Sequence, residues 1–319
     1  MTSRPPTISL VVPAYDSARS LPELIARLTP VLARVSSEFE ILLVNDGSRD
    51  NTWRIISELA ERCPAVMGIN LMRNYGQHNA LLAGIRLARY ELVVTLDDDL
   101  QNPPEEIPRL LSHLESGFDV VYGYPEHEQH GLWRDLASQI TKIALASTMG
   151  VTTARHVSAF RVFRTPLRDA FGDFRSPRVS LDALLTWGTA RFAAIPVRHN
   201  PRQTGATNYT FRKLVIHALN MITGFSILPL QITSLLGFFF ALIGMAVLAY
   251  VLERYFTVGR VVPGFAFLAS VIAILSGAQL FALGIIGEYL ARMHLRLMDR
   301  PAYTIAETTR HDDRVSQSL

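Results

Sequence analysis

The sequence predicts an α/β domain with a mostly parallel sheet, followed by an amphipathic helix and a hairpin of two membrane-spanning helices. Two observations predict this fold class. In the first two-thirds of the 319 residues, runs of aliphatic residues alternate with segments of helical periodicity, a pattern typical of parallel α/β sheets. In the last third, two long segments carry no charged residue, which is typical of membrane spans.

Five runs rich in valine, isoleucine and leucine are predicted as strands buried on both faces, because they are continuous rather than alternating. They cover residues 8–13, 40–45, 66–71, 92–96 and 119–122. The segments between them are predicted as helices over residues 21–35, 52–62, 77–88 and 104–115. Ligands of such sheets bind beyond the carboxyl ends of the strands, so we expect a site there.

The last third predicts a membrane element in residues 227–290, with spans at about 227–252 and 261–287. Each span exceeds the roughly 20 residues needed to cross about 30 Å of hydrocarbon. Residues 211–226 place apolar side chains at helical spacing, with Arg212 and Lys213 off the stripe, as in a helix lying on a bilayer. A helix packed on a protein core is the alternative.

Basic residues flank the hairpin more densely than they occur in its connector. This bias places residues 1–210, the predicted catalytic domain, and residues 291–319, a predicted basic helix and tail, in the cytoplasm. The net charge of +3 is too small to predict nucleic-acid binding, but it suits anionic lipid or phosphate. The single cysteine, Cys63, excludes an internal disulfide, and we expect no cleaved signal peptide.

The most informative motif is Asp97-Asp98-Asp99-Leu100-Gln101, directly after the fourth predicted strand. Carboxylates at such a position suit Mg²⁺ or Mn²⁺, and such a cation would neutralise a phosphate. At the end of a strand, Asp97 and Asp99 are predicted to point to the same side and Asp98 to point away. We expect Asp99 to bind the cation directly, Asp97 to contact it through water or to meet a ribose, and Gln101 to add a neutral oxygen. A solvated acidic turn is the alternative.

Two further motifs follow the second and third predicted strands. Asp46-Gly47-Ser48 could place the Asp46 carboxylate against a base or ribose, although a turn with a helix cap explains the motif equally well. Arg73 could approach a diphosphate, and Gly76 with the next helix start could offer backbone N–H groups to it.

A polar segment precedes the amphipathic helix, and its Arg202 and Thr207 could hold a lipid phosphate. Arg155 and Arg161 are further candidates for this acceptor phosphate. Attraction to lipid headgroups without substrate specificity is the alternative, and it is nearly as good an explanation of Arg155.

Four motifs stand in order along the chain: VVPAY at 11–15, VNDGS at 44–48, RNYGQ at 73–77 and LDDDLQNPP at 96–104. Together they resemble the polyprenyl-phosphate glycosyltransferases, which are GT-A-fold enzymes akin to dolichol-phosphate mannose synthase and include bacterial members that act on undecaprenyl phosphate. The resemblance implies an inverting transfer of one sugar from a nucleotide diphosphate sugar, UDP by likeness, to a polyprenyl phosphate. It also implies dependence on Mg²⁺ or Mn²⁺, a homotetramer, and a bacterial inner membrane.

The resemblance also assigns roles to matched residues. The implied nucleotide-binding residues are Pro13, Tyr15, Asp16, Asp46, Ser48, Arg73, Gln77, Asp97 and Asp98. The implied catalytic residues are Asp97, Asp99 and Arg202, the metal ligands are Asp99 and Gln101, and the acceptor-phosphate residues are Arg155, Arg161, Arg202 and Thr207.

The chain departs from the family pattern at three positions. Asp16-Ser17 stand where Asn-Glu is common, Asn208 replaces a lysine, and an acid of the acceptor loop is missing near Ala159. A phosphate monoester is largely dianionic at pH 7, so it can attack without a general base. We therefore expect Asp99→Ala to abolish transfer and no other acid, Asp182 included, to act as an obligatory base.

Other functions fit the sequence less well. A non-catalytic membrane scaffold that binds nucleotide sugars stays open, because fold does not fix function. A processive polysaccharide synthase would need a Gln-x-x-Arg-Trp motif, which the sequence lacks. A nicotinamide oxidoreductase is disfavoured, because no Gly-x-Gly-x-x-Gly follows a predicted strand.

Overall fold

The computed structural model describes residues 4–126, 156–177, 179–200, 228–258 and 264–310. The chain divides into two compact units. The first contains Met1–Leu214 and Asp299–Leu319, and the second contains Val215–Met298.

The described part of the first unit is built on an eight-stranded, mostly parallel sheet. Its strands are β1 (Thr7–Ala14), β2 (Glu38–Asn45), β3 (Val66–Leu71), β4 (Leu92–Thr95), β5 (Val120–Pro125), β6 (Arg161–Arg164), β7 (Phe192–Val197) and β8 (Ile305–Thr308). Their spatial order is β7-β5-β6-β4-β1-β2-β3-β8. Strands β1 to β4 are mutually parallel, whereas β6 and β8 run antiparallel to their neighbours.

Five helices are described in this unit. They are α1 (Leu21–Val35), α2 (Thr52–Arg62), α3 (Gln77–Leu87), α4 (Ile107–Glu115) and α5 (Leu181–Gly188), and short 3₁₀ segments cover Pro104–Glu106 and Thr165–Phe171. Leu21, Leu24, Leu28 and Leu32 of α1 are fully buried, at the spacing that puts them on one face of a helix. Each such side chain contributes about 1.5–3 kcal/mol by leaving water.

The second unit contains two long helices, α6 (Leu228–Val258) and α7 (Phe265–Leu297). Their segments Leu230–Thr257 and Ile274–Ala291 are long and apolar enough to span a membrane, with mean hydropathies of 2.5 and 1.5. Neither segment is buried within the protein. A core helix of a soluble protein would be covered by other elements, so these exposed apolar surfaces fit a lipid environment.

The structure confirms the predicted α/β class with its two apolar C-terminal helices. The four predicted helices form within a few residues of the expected positions, although residues 104–106 are 3₁₀ rather than α-helical. Helix α7 runs past the predicted span end at residue 287 to Leu297. The predicted interfacial helix over residues 211–226 lies outside the described residues.

One prediction about the C-terminus needs correction. Residues 291–319 were expected to form a basic helix and a tail, but β8 pairs with β3 and residues from Asp299 onward belong to the first unit. The strand escaped prediction because the sequence Ile-Ala-Glu-Thr is short and half polar. It forms by pairing with a sheet edge far away in sequence.

Candidate functional site

The loops after β1, β2, β3 and β4 meet at the carboxyl edge of the sheet and form a cleft of about 300 Å³. The cleft is lined by Pro13, Ala14, Tyr15, Asp46, Asn74, Gly76, Gln77, Asp97, Asp98 and Asp99. Motifs that are far apart in sequence therefore share one site. They meet because the carboxyl ends of parallel strands lie at the same edge.

The loop after β1 puts the ring of Tyr15 at the cleft, with 44% of the residue exposed. The next residue, Asp16, has a φ of 54°, a strained conformation for a residue with a Cβ. The Asp16 N–H donates to Ser48 Oγ over 3.0 Å, and its carboxylate accepts from the Arg49 N–H over 2.8 Å. Asp16 and Ser48 thus join two loops and are not among the lining residues.

The Asp46 carboxylate anchors the loop after β3. It accepts the N–H of Tyr75 over 2.7 Å and the N–H of Gly76 over 2.8 Å. Burial raises the pKa of Asp46, while these two hydrogen bonds and the charge of Arg73 act in the opposite direction. Asp46 therefore shapes the cleft as well as lining it.

The loop after β2 approaches the loop after β3 so closely that position 47 must be glycine. Gly47 has a φ of +63°, and a Cβ there would lie 2.5 Å from both the carbonyl carbon of Arg73 and the backbone nitrogen of Asn74. Backbone atoms cannot rotate away as a flexible side chain can, so the approach excludes any larger residue.

The Arg73 guanidinium stacks over the Tyr75 ring, with its Cζ 4.3 Å from the ring centroid. Such a cation–π contact fixes the arginine beside the cleft, although Arg73 is not among the lining residues. Gln77, the first residue of α3, reaches the acids directly, because its Nε2 donates to Asp97 Oδ1 over 2.5 Å.

The three aspartates follow β4, which ends at Thr95, and Asp98 and Asp99 lie in a turn. All three line the cleft. The expectation that Asp98 points away from the other two relied on strand alternation, and the strand ends before the acids begin. The turn continues through Leu100, which is buried despite a φ of 61°.

Hydrogen bonds hold the acids in place. Ser17 Oγ donates to Asp98 Oδ2, and the Gln101 N–H donates to Asp99 Oδ1 over 3.1 Å. The Gln101 carbonyl accepts the Asn200 N–H over 2.8 Å. Gln101 thus supports the acids through its backbone, and it is not among the lining residues.

The cleft is electrostatically unfavourable for three carboxylates. Burial, followed by the charges of Asp99 and Asp98, raises the pKa of Asp97 to about 7, although Arg161 and Gln77 counteract the rise. Burial likewise raises the pKa of Asp98. A bound cation would relieve this repulsion.

The acidic side chains of the cleft suit a Mg²⁺ or Mn²⁺ ion that is shared between protein and substrate, rather than an ion whose ligands all come from the protein. Among the described residues, no three histidine, cysteine, aspartate or glutamate side chains form a preassembled metal cluster. Mg²⁺ usually keeps several waters and is held by one or two carboxylates together with substrate phosphates. Asp97 and Asp99, which line the open cleft together, match that requirement.

Arg161 is fully buried and ion-paired, which corrects its assignment to the acceptor phosphate. The residue is 1% exposed, and its Nη1 donates to Asp182 Oδ1. Tyr122 completes the cluster, because its hydroxyl donates to the same Asp182 oxygen over 3.0 Å. A phosphate at the protein surface needs an accessible guanidinium, so we remove Arg161 from the phosphate set; its positive charge instead acts against the burial that raises the pKa of Asp97.

The remaining acceptor-phosphate candidates, Arg155, Arg202 and Thr207, lie outside the described residues. Three participants were not predicted. Asn74 and Ala14 line the cleft, and Ser17 holds Asp98. Asn74 and Ala14 belong to the RNYGQ and VVPAY motifs.

The sequence matches one family model and several known proteins. Residues 9–175 match the model of Glycosyl transferase family 2. Two similar proteins are called undecaprenyl-phosphate 4-deoxy-4-formamido-L-arabinose transferase. The protein from Pseudomonas savastanoi is 34% identical over 97% of this chain and 92% of its own length, and that from Klebsiella pneumoniae is 34% identical over 99% and 98%.

Solved structures share the fold of the first unit. Glucosyl-3-phosphoglycerate synthase from Mycobacterium tuberculosis, solved with Mn²⁺, UDP and glucosyl-3-phosphoglycerate, superposes with a TM-score of 0.51. It is 18% identical, and the match covers 68% of this chain and 78% of that one. The same enzyme solved with phosphoglyceric acid gives a TM-score of 0.50 at 18% identity, over 68% and 80% of the two chains.

Proposed function

The chain belongs to glycosyltransferase family 2, and we propose that it moves one sugar from a UDP-linked donor to undecaprenyl phosphate. The acceptor is supported by the names of relatives that match almost the whole chain. The UDP donor and the divalent cation are supported by structures of the same fold solved with UDP-glucose and Mn²⁺.

The observation that carries the proposal is the cleft in which three adjacent carboxylates face Tyr15 and Asp46. An exposed aromatic ring can stack on a nucleobase. Each Asp46 oxygen already accepts one backbone N–H, but a carboxylate has about four acceptor sites, so capacity for a ribose or base remains. Pro13 and Ala14 supply an apolar wall beside them.

The acidic end of the cleft suits the diphosphate only when a cation is present. Mg²⁺ or Mn²⁺ held by Asp99, with Asp97 and Gln101 in support, would neutralise the leaving diphosphate. Gln77 holds Asp97 in place through its side-chain amide. Arg73, fixed on Tyr75, adds a positive charge beside the nucleotide.

The proposed reaction is a single displacement. The bond from the sugar anomeric carbon to the β-phosphate oxygen breaks as a bond forms from that carbon to an acceptor phosphate oxygen. UDP leaves with the bonding electrons, and one displacement inverts the anomeric centre. The acceptor monoester is largely dianionic at pH 7, so no residue has to remove a proton.

The residues proposed as catalytic are Asp97, Asp99 and Arg202. Arg202, Thr207 and Arg155 are proposed to hold the acceptor phosphate, because guanidinium and hydroxyl groups donate hydrogen bonds to phosphate oxygens and can orient them for attack. Positioning and electrostatics then supply most of the barrier reduction.

We also propose that the two apolar helices span a bacterial inner membrane, with the first unit in the cytoplasm and the chain assembled as a homotetramer. In intact spheroplasts, a cysteine introduced as Thr257→Cys at the end of α6, in a Cys63→Ser background, should react with an impermeant maleimide. The native Cys63 should not react until the membrane is opened. The reverse labelling pattern would invert the topology, and a mass in detergent other than four chains would exclude the tetramer.

The decisive experiment incubates the purified protein with undecaprenyl phosphate, Mg²⁺ or Mn²⁺ and a panel of nucleotide sugars, and identifies the lipid product by mass. Asp99→Asn should reduce transfer by about 10²–10³-fold, the usual cost of losing one electrostatic contributor. Asp169→Asn is the matched control, because its side chain is 79% exposed and does not line the cleft. Donor binding without lipid product from any sugar would favour a non-catalytic scaffold.

A further inference from the structure

The segment that follows α7 returns to the sheet of the first unit. We call residues 299–310 the C-terminal strap. Its β8 pairs antiparallel to β3, with Ile69 opposite Thr308 and Asn70 opposite Glu307. Ala302, just before the strand, is 3% exposed. The strap is therefore packed into the same unit as the cleft, although in sequence it comes after both apolar helices.

Two backbone carbonyls of the strap bracket the cleft loop that follows β3. The Met72 N–H donates to the Thr304 carbonyl over 3.0 Å. The Asn79 side-chain amide donates to the Ala302 carbonyl over 2.5 Å and to the Pro177 carbonyl over 3.2 Å. Between these two anchors lie the cleft-lining residues Asn74, Gly76 and Gln77.

The Asn79 anchor is buried, since the residue is 4% exposed. In such surroundings a lost hydrogen bond is not replaced by water, and the carbonyl left behind keeps its desolvation cost. Asn79 also lies two residues after Gln77, which holds Asp97. A shift of the first turn of α3 would therefore move a side chain that contacts the acids.

A second path runs from the strap through polar side chains. Glu307 Oε1 accepts from Asn70 Nδ2 over 3.0 Å, and Asn70 Oδ1 accepts from Asn45 Nδ2 over 2.7 Å. Asn45 Oδ1 accepts from Ser48 Oγ over 2.5 Å, and Ser48 Oγ accepts the Asp16 N–H over 3.0 Å. This chain of contacts ends in the loop after β1 that carries the exposed aromatic ring of the cleft.

We propose that the C-terminal strap is a positioning element of the donor site, so that nucleotide affinity depends on residues beyond the membrane hairpin. The proposal rests on the proposed binding of a nucleotide diphosphate in this cleft. Asn79 and Glu307 are its positioning residues. They touch no substrate, and they act by fixing the loops that do.

The first test is Asn79→Leu, which keeps the branched shape of the side chain, with a somewhat larger volume, and removes the amide that donates both hydrogen bonds. We expect the donor KM and the Kd of UDP with Mn²⁺ to rise about tenfold, the effect of losing one to two neutral hydrogen bonds, while kcat changes less than about twofold. Arg175→Gln is the matched control. It breaks only the exposed ion pair between Arg175 and Asp299 at the start of the strap, so donor affinity should stay unchanged.

Glu307 supplies an independent pair of variants on an exposed residue, where folding is not at risk. Glu307→Leu removes the acceptor for Asn70 and should raise the donor KM by about two- to fivefold. Glu307→Gln keeps an acceptor oxygen in the same place and should restore wild-type affinity. Rescue by glutamine identifies the hydrogen bond, rather than the charge, as the cause.

Hydrogen exchange of the nucleotide-free protein gives a readout besides activity. In Asn79→Leu, amides of residues 72–80 should exchange at least about tenfold faster, while those of α1 stay protected. Folded variants with unchanged exchange and unchanged UDP affinity would overturn the strap proposal. If Asn79→Leu does not fold, the Glu307 pair decides by the same criteria. A wild-type protein that binds no UDP with Mn²⁺ would overturn the proposed function instead, and exchange would still report whether the strap orders the loop.

Discussion

Replacing Asp182 by asparagine tests whether this residue has a structural role or acts as a catalytic base. Asp182 lies 7% exposed on α5 and accepts from both Arg161 and Tyr122. Burial, and next the charge of Asp182, raise the pKa of the Tyr122 hydroxyl well above its ordinary value, so this hydroxyl stays a donor at neutral pH. Asp182 is therefore engaged by two partners and is not poised to take a proton from a substrate.

The cost of Asp182→Asn follows from the burial of its partner. Asparagine keeps an acceptor oxygen but removes the negative charge, which leaves the buried Arg161 without its ion-pair partner. The side chains of Arg161 and Asp182 are only 2% and 11% exposed. Breaking a buried pair by removing one partner costs about 3–5 kcal/mol. At about 2–4 °C per kcal/mol for a domain of this size, the melting temperature should fall by roughly 6–20 °C.

Thermal unfolding of the full chain in detergent measures this loss of stability, and Arg161→Met combined with Asp182→Asn is the control. The double variant removes both buried charges, which is often neutral or stabilising, and asparagine keeps an acceptor for the Tyr122 hydroxyl, so most of the lost stability should return. Below its melting temperature, Asp182→Asn should keep transfer within about tenfold of wild type, with an unchanged pH–rate profile. An unchanged melting temperature, together with loss of transfer and of one limb of that profile, would refute this reasoning and make Asp182 a base.

Three further results are expected. Gly47→Ala should destabilise the protein by about 2–4 kcal/mol in denaturant titration and weaken UDP binding, because the added Cβ would collide with backbone atoms. Gly117→Ala is the control: Gly117 also has a positive φ, but the space around it is open, so the change should cost only about 1 kcal/mol. Ser17→Ala removes the donor to Asp98 and should cost about 1–2 kcal/mol and raise the donor KM. Because the pKa of Asp97 is raised to about 7, a proton should compete with Mn²⁺ for this carboxylate. Calorimetry should therefore show a Mn²⁺ affinity that rises about tenfold per pH unit between about pH 5 and 7 and is constant above that. In Asp97→Asn the Mn²⁺ affinity should no longer depend on pH in this range. Without metal, the folded state keeps a proton between about pH 4 and 7 that the unfolded chain has released, so stability should fall as the pH rises through that window.

The strands that could be predicted are buried ones, because a strand buried on both faces has a continuous run of aliphatic residues. β1 to β4 lie in the middle of the sheet and carry long aliphatic runs with almost no exposure. β6 was missed because its four residues begin and end with arginine, and no hydrophobic run marks it. Its position depends on antiparallel pairing with β4 and β5, which sequence periodicity does not encode.

For the site too, one part could be predicted from the sequence and another could not. That Tyr15, Asp46 and the three aspartates share one edge follows from the order of strands and polar clusters, and the structure bears this out. The supporting contacts could not be predicted, because they join residues through tertiary packing. Ser17 and Asp98 are 81 positions apart, and the Asp46 carboxylate is held by backbone N–H groups, which have no sequence signature.

Whether three adjacent aspartates form a solvated turn or a binding site depends on how far their surroundings exclude water. In open solvent their mutual repulsion is screened and their pKa values stay ordinary. In this cleft, burial and mutual repulsion raise the pKa of Asp97 to about 7, so near neutrality a proton and a cation would compete for this carboxylate. A cation bound by only one or two carboxylates keeps coordination positions for phosphate oxygens, so on the proposed function donor and cation bind cooperatively. Since such coupling is reciprocal, Mn²⁺ and UDP should each bind weakly alone and strengthen the other by the same factor.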